Sequence, residues 1–184
     1  LLPGLPAAAR VLDLGCGPAD VTVRFAHAFP GWHIDGVDGA DAMLALGRAH
    51  VAQAGLTARV VLHHSVLPQD PMPGKGYAVI LSNSLLHHLH EPQVLWRALR
   101  VAAAPSAFVY VTDLRRPADE TTLRHLVETH SAPEPAVLRR DFDASLRAAF
   151  TPDEVRRQLA DAGLAGLDVT ALGDRHLAVA ARLV

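Results

Sequence analysis

Val11-Leu12-Asp13-Leu14-Gly15-Cys16-Gly17-Pro18-Ala19-Asp20 is the stretch whose reading decides the fold. Its apolar part, within residues 10–14, reads as a buried strand that stops at glycines. Residues 21–29 then carry the spacing of an amphipathic helix, closed by Pro30-Gly31. A glycine turn between strand and helix lets backbone N–H groups approach a ligand closely, and the helix start favours negative charge. The same glycines also serve a tight turn with no ligand. Two positions narrow the choice. A dinucleotide fingerprint needs a third small residue three positions after the second glycine, and Asp20 stands there with Pro18 intervening. No Gly-Lys-Ser/Thr follows, which excludes a P-loop.

Outward from this turn, short apolar runs alternate with helical segments. Strands are predicted over 32–37 (ending at Asp38), 58–63, 77–81 and 107–112. Helices are predicted over 40–54, with Gly55 as C-cap, and over 91–104, with Pro92 in the first turn. Residues 68–76 are loop by composition. Residues 115–150 read as helical, broken at Pro117 and around Pro133 and Pro135. Thr151-Pro152-Asp153-Glu154 starts a further helix that runs to about Ala162, with Thr151 as N-cap and Glu154 reaching back. Strands over 167–172 and 176–183 form a closing hairpin around Gly173-Asp174. This alternation predicts an α/β fold: a doubly wound, mostly parallel seven-stranded sheet with a C-terminal antiparallel hairpin and helices on both faces. Ligands of such a sheet bind beyond the carboxyl ends of the strands, where strand order reverses.

Composition sets the outer bounds. A chain of 184 residues, 50% hydrophobic and 20% charged, is a single globular domain rather than a disordered tail. Seventeen basic against nineteen acidic residues leave no general nucleic-acid footprint. One cysteine, Cys16, permits no intrachain disulfide, which predicts a reducing, cytoplasmic setting. No apolar run reaches the ~18 to 20 residues of a membrane span. The first six residues lack the basic start of a secretion signal, and the chain does not begin with methionine, so it is expected to be a fragment or a processed form. The eleven histidines predict no metal site, because the adjacent pairs His63-His64 and His87-His88 point apart on a strand and no recognisable ligand set completes them.

The run hydrophobic-Asp-hydrophobic-Gly-Cys-Gly at 12–17, with Asp38 after the next strand, resembles the class I S-adenosylmethionine-dependent methyltransferases of small-molecule type. The resemblance covers roughly residues 7–113 and the closing helix and strand pair. It implies a Rossmann-like domain: a cofactor-binding half over 1–113, a substrate lid over 114–150 and a closing unit over 151–184. It also implies S-adenosylmethionine as cofactor, S-adenosylhomocysteine as product and a small-molecule acceptor. Gly15, Cys16 and Gly17 would lie against the methionine end, and Asp13 would fix the turn or approach the ammonium group. A carboxylate at Asp38 can accept both hydroxyls of a ribose, a geometry shared with NAD enzymes. Gly39 stands beside it.

Further assignments follow from the match. Met43 would lie against the adenine, although a lone methionine is more often core. Many relatives carry an acid where Ser65 stands; here the Ser65 hydroxyl and the backbone N–H of Val66 would meet the ring. The segment Ser82-Asn83-Ser84-Leu85-Leu86-His87-His88-Leu89 resembles the post-strand run of small-molecule methyltransferases. It puts Asn83 near the transferable methyl and His87 and His88 at the mouth of the substrate site. A histidine there would serve as general base, His88 being favoured, or would merely cap a helix. Relatives often have glycine where Ala19 stands. Two rival readings stay open: a non-catalytic or regulatory cofactor-binding protein of this fold, and an NAD(P)-dependent oxidoreductase, which Asp20 opposes. The charge balance, and the lack of an Asn/Asp-Pro-Pro-aromatic element after the fourth strand, argue against methylation of nucleic-acid bases.

Overall fold

β1 (Ala8–Leu14) is the centre from which the sheet is built. Its last four side chains, Val11 to Leu14, are all buried, as a strand covered on both faces requires. They alternate: Val11 enters one apolar core, Leu12 and Leu14 the other. The computed structural model describes residues 5–183. Residues 1–4 and 184 lie outside the described residues, and so does most of the opening segment read above for a secretion signal.

The chain continues through α1 (Asp20–Ala28), β2 (Gly31–Asp38), α2 (Asp41–Gln53), β3 (Val60–His64) and β4 (Tyr77–Asn83). A one-turn 3₁₀ helix (Leu86–His88), α3 (Gln93–Ala102) and β5 (Ala103–Leu114) follow. Then come α4 (Glu120–Ser131), α5 (Ala136–Ala148), α6 (Pro152–Asp161), β6 (Asp168–Leu172) and β7 (His176–Arg182). The seven strands lie in the order β3-β2-β1-β4-β5-β7-β6. The first five pair in parallel and β6 and β7 form an antiparallel hairpin, as the sequence predicts; β7 also pairs antiparallel with β5. Strand order reverses between β1 and β4, so the carboxyl ends of these two strands flank the crevice.

One face is closed by α1 and α2, through Val23, Ala26, Leu44 and Val51 with Trp32 and Ile34. The other is closed by α3 and α6, through Leu95, Trp96, Leu99, Val155 and Leu159. α4 and α5 pack on one another around Leu123, Leu126 and Leu146, a small core of their own. The start of α6 carries the capping box read from the sequence: Thr151 accepts from Glu154 N, and the Glu154 carboxylate accepts from Thr151 N. No helix among the described residues is long and apolar enough to cross a membrane.

Two local expectations are corrected. The predicted helix over 91–104 ends at Ala102, and β5 begins at Ala103 rather than at 107. Pro105 pushes the preceding alanine into extended backbone, so the alanine run joins the strand. Its pairing with β4 then skips at Tyr77/Val79, and Ser106 takes a positive φ of 58°. The 3₁₀ turn at 86–88 carries no sequence signal of its own.

Candidate functional site

A cleft of about 480 Å³ opens at the crevice between β1 and β4. Three loops wall it: the glycine turn after β1, the β2–α2 connection and the segment after β4. The glycines have distinct duties. Gly15 sits at φ +73°, and a Cβ there would meet the Leu85 side chain at 2.9 Å, so the turn and the post-β4 segment touch only because that atom is missing. Gly17, at φ +52°, would point a Cβ into open space.

The backbone N–H groups of this turn are not left bare, contrary to the simple expectation. Gly15 N and Cys16 N both donate to Val37 O, at 2.9 and 3.0 Å, and Ala19 N donates to Cys16 O. Gly17 N donates to the Asp38 carboxylate at 2.9 Å. β2 runs parallel to β1 and extends to Asp38, so its last carbonyl and carboxylate meet the turn and fold it tightly. What the turn offers is therefore space. Ala19 adopts φ 63°, in the left-handed region that glycine enters without steric cost.

Three carboxylates stand in the cleft wall: Asp13, Asp20 and Asp38. Asp13 is buried and accepts from Thr22 Oγ1 at 2.6 Å. Burial pushes its pKa up to about 6; the Thr22 hydrogen bond pulls the other way and the Asp38 charge adds to the rise. Asp38 accepts from Gly17 N on one oxygen and from Ala40 N, at 2.8 Å, on the other. Each oxygen keeps one lone pair free for a ligand hydroxyl. Asp35 faces away from this group and is taken up by His63 and Tyr77, each at 2.9 Å.

Met43 lies in the cleft wall with its side chain exposed. Gly39 lies against the Ser65-Val66 segment: a Cβ on it would approach Val66 Cγ2 at 3.3 Å. The Ser65 hydroxyl is buried and has no hydrogen-bond partner among the described residues. Val66 N, expected to be free for a ring, donates instead to the Asp70 carboxylate at 2.8 Å. Asp70, four residues on, closes this turn by also donating its own N–H to Val66 O.

After β4, Asn83 enters the wall with its side chain set by Thr112 Oγ1, which donates to Oδ1 at 2.7 Å. His88 stands in the wall and is exposed, whereas His87 turns inward and is buried. Loss of hydration and then the neighbouring His87 hold the His88 pKa below the ordinary histidine value, against a smaller pull from Asp113. The two expected histidines are thus separated: one meets the cleft, the other backs it. Cys16 is buried, and burial pushes its thiol pKa up, which disfavours the thiolate. Among the described residues no three His, Cys, Asp or Glu side chains converge as metal ligands. A second hollow of about 280 Å³ adjoins the cleft, shares Asp13 and Asn83 with it and extends to Phe25, Tyr110 and His176. Thr22 and Leu85 are contributors that sequence reasoning missed; their contacts span 9 and 70 positions.

Comparison with known proteins gives the relationships. The sequence matches the family described as "Methyltransferase domain" over residues 11–106. A trans-aconitate 2-methyltransferase of Delftia acidovorans (strain DSM 14801 / SPH-1) is 32% identical over 150 residues, which are 80% of this chain and 53% of that protein. A ubiquinone biosynthesis O-methyltransferase of Bordetella pertussis (strain Tohama I) is 31% identical over 111 residues, 58% of this chain and 43% of that protein. The chain spans about half the length of these curated relatives. The crystal structure of a SAM dependent methyltransferase from Aquifex aeolicus superposes with a TM-score of 0.71 at 21% identity, covering 98% of this chain and 85% of that one, a likeness of fold.

Proposed function

This chain belongs to the class I S-adenosylmethionine-dependent methyltransferases, and from that premise we propose that it transfers a methyl group from S-adenosylmethionine to a small-molecule acceptor. The observation that carries the reading is the cleft at the β1/β4 reversal, where the glycine turn, Asp13 and Asp38 share one wall.

The residues present fit the cofactor. The three wall carboxylates suit a ligand that carries both a sulfonium and an ammonium charge. The open space at Gly17 admits its methionine end, with Gly15 and Cys16 behind and Asp13 toward the ammonium group. Asp38 keeps acceptor capacity for the two sugar hydroxyls. Met43, Gly39 and Val66 border the place for the base, and the unpaired Ser65 hydroxyl supplies a buried polar group beside it. Asn83 would stand near the methyl group.

Bound S-adenosylmethionine supplies a methyl already activated by positive sulfur. The protein's share is to orient the partners, exclude water and accept a proton. His88, exposed in the cleft wall with its pKa held low, is the general base of this reading. His87 supports it from behind. The α4–α5 pair serves as the lid over the acceptor, consistent with its packing against the turn that bears His88.

Calorimetry with S-adenosylmethionine and S-adenosylhomocysteine tests the first half: binding to the folded chain is expected, and no binding at sub-millimolar cofactor refutes it. A labelled-methyl assay tests the second, with trans-aconitate and catechol as first acceptors, a tricarboxylate and a phenol. Tight binding with no methylated product across a broad panel would leave a cofactor-binding module in place of an enzyme.

A further inference from the structure

The turn bearing His88 is held from behind by one carboxylate. Asp113, at the end of β5, is buried and accepts from Leu86 N and Leu114 N, each at 2.7 Å. It faces His87 Nδ1 at 2.6 Å, with both side chains nearly inaccessible, 2% and 5% exposed. A carboxylate at that distance makes Nδ1 the protonated nitrogen of His87. The His87 ring lies 4.0 Å from the His88 ring, centroid to centroid, tilted by 39°. Two of the bonds to Asp113 end on the 3₁₀ turn itself, so this carboxylate fixes both the turn's backbone and the ring against which His88 rests.

We propose that Asp113 and His87 are a positioning pair: the buried carboxylate orients His87, and His87 holds the His88 ring in the cleft wall, turned toward the acceptor. The catalytic meaning of the pair rests on the methyl-transfer reading above, but the arrangement of the three side chains stands without it. The titratable groups beside His88 are His87 on its own turn and Asp113 on β5; Asp13, Asp20 and Asp38 line the same cleft. α5, packed against the turn, keeps Arg147 tied to Glu120 and Asp143, and Arg140 beside Asp141, on exposed positions; Arg139 is exposed there as well.

The test is nitrogen-15 NMR of the histidine-labelled, ligand-free chain, with S-adenosylhomocysteine affinity measured alongside. His87 is expected as the Nδ1–H tautomer with a proton protected from solvent exchange, and His88 is expected to titrate below ordinary histidine. Asp113→Asn should erase the protected proton and shift the His88 resonances. His87→Gln should shift the His88 ring resonances, because the ring against which His88 rests is gone. An Nε2–H tautomer at His87 overturns the proposal. So does a folded Asp113→Asn variant in which His88 is unmoved. Should Asp113→Asn not fold, unshifted His88 ring resonances in His87→Gln overturn it alone. Failure of S-adenosylhomocysteine to bind the unaltered chain would defeat the methyl-transfer reading and leave these ring measurements legible.

Discussion

Substituting alanine at Gly15 and at Gly17 separates what the glycine turn does for folding from what it does for a ligand. Both residues have positive φ, +73° and +52°. An alanine in the left-handed region costs about 1–2 kcal/mol, and the stiffer unfolded chain returns about 0.4–1 kcal/mol of that. The backbone terms therefore leave each variant destabilised by about 1 kcal/mol. Gly15→Ala carries a second cost. Its Cβ would sit 2.9 Å from Leu85 Cβ and Cδ2, about 1 Å inside carbon–carbon contact. Relieving that overlap costs about 1–3 kcal/mol more. Gly17→Ala meets nothing within 4 Å and escapes it. Urea denaturation of the ligand-free chain should place Gly15→Ala about 2–4 kcal/mol below the parent and Gly17→Ala only about 1 kcal/mol below. Adding Leu85→Ala should recover much of the Gly15→Ala loss, a coupling of about 1 kcal/mol or more in the double-mutant cycle. Ligand affinity should fall more at Gly17→Ala than its stability does, since Gly17 lines the cleft and its added methyl meets only open space in the ligand-free chain. Equal destabilisation by the two alanines, or strict additivity of Gly15→Ala with Leu85→Ala, would refute the contact on which the argument stands.

Other outcomes follow from the site. Asp38→Asn retains one acceptor oxygen for two backbone donors, Gly17 N and Ala40 N; calorimetry should show S-adenosylhomocysteine binding weakened by about 1–3 kcal/mol, and unchanged affinity would remove Asp38 from the site. Asp13, raised from 3.8 to about 6, favours folding when protonated; that advantage is complete below pH ~4 and is lost as pH rises through about 6. Asp13→Asn should therefore gain on the parent between pH 4 and pH 7 by about 2 kcal/mol, read as the difference in denaturation midpoints converted to free energy; a pH-independent difference would contradict the burial of the charge. Thr151→Ala removes the capping box of α6 and should lower stability by about 1 kcal/mol, visible as a Tm drop of a few degrees at most with cofactor affinity retained.

How much of the site was legible depended on the range of each signal. The strand–turn–helix at 8–28 was readable because its determinants are neighbours: an apolar run, two glycines and an amphipathic period. Asp38 was readable because it ends the next strand. The capping box at 151–154 was readable because both partners lie within four residues. The fate of the turn's N–H groups was not, since their acceptors, Val37 O and the Asp38 carboxylate, arrive from β2. Nor was the division of labour between His87 and His88. Adjacent histidines look alike until Asp113, 26 positions on, selects one. Val66 N was misread because Asp70, four residues later, accepts it within a local turn that loop composition alone does not announce.

Local rules were sufficient for the elements and the class of fold: periodicities of two and 3.6 and glycine and proline punctuation predict a mostly parallel sheet with its ligand crevice beyond the carboxyl ends of strands, while the strand order that puts it between β1 and β4 is a matter of tertiary pairing. Tertiary packing decided everything that depends on which polar group finds which partner. Hydrogen bonds and burial act through space, with steep distance dependence, and register between strands alone brings residues dozens of positions apart to within 3 Å. Hence the chain's own order of residues marked the glycine turn and the strand ends as the place for a ligand, while the folded arrangement settled that the cleft lies between β1 and β4, that Asp13 is shielded from water, that Asp38 is anchored from both sides and that His88 is the histidine facing the cleft.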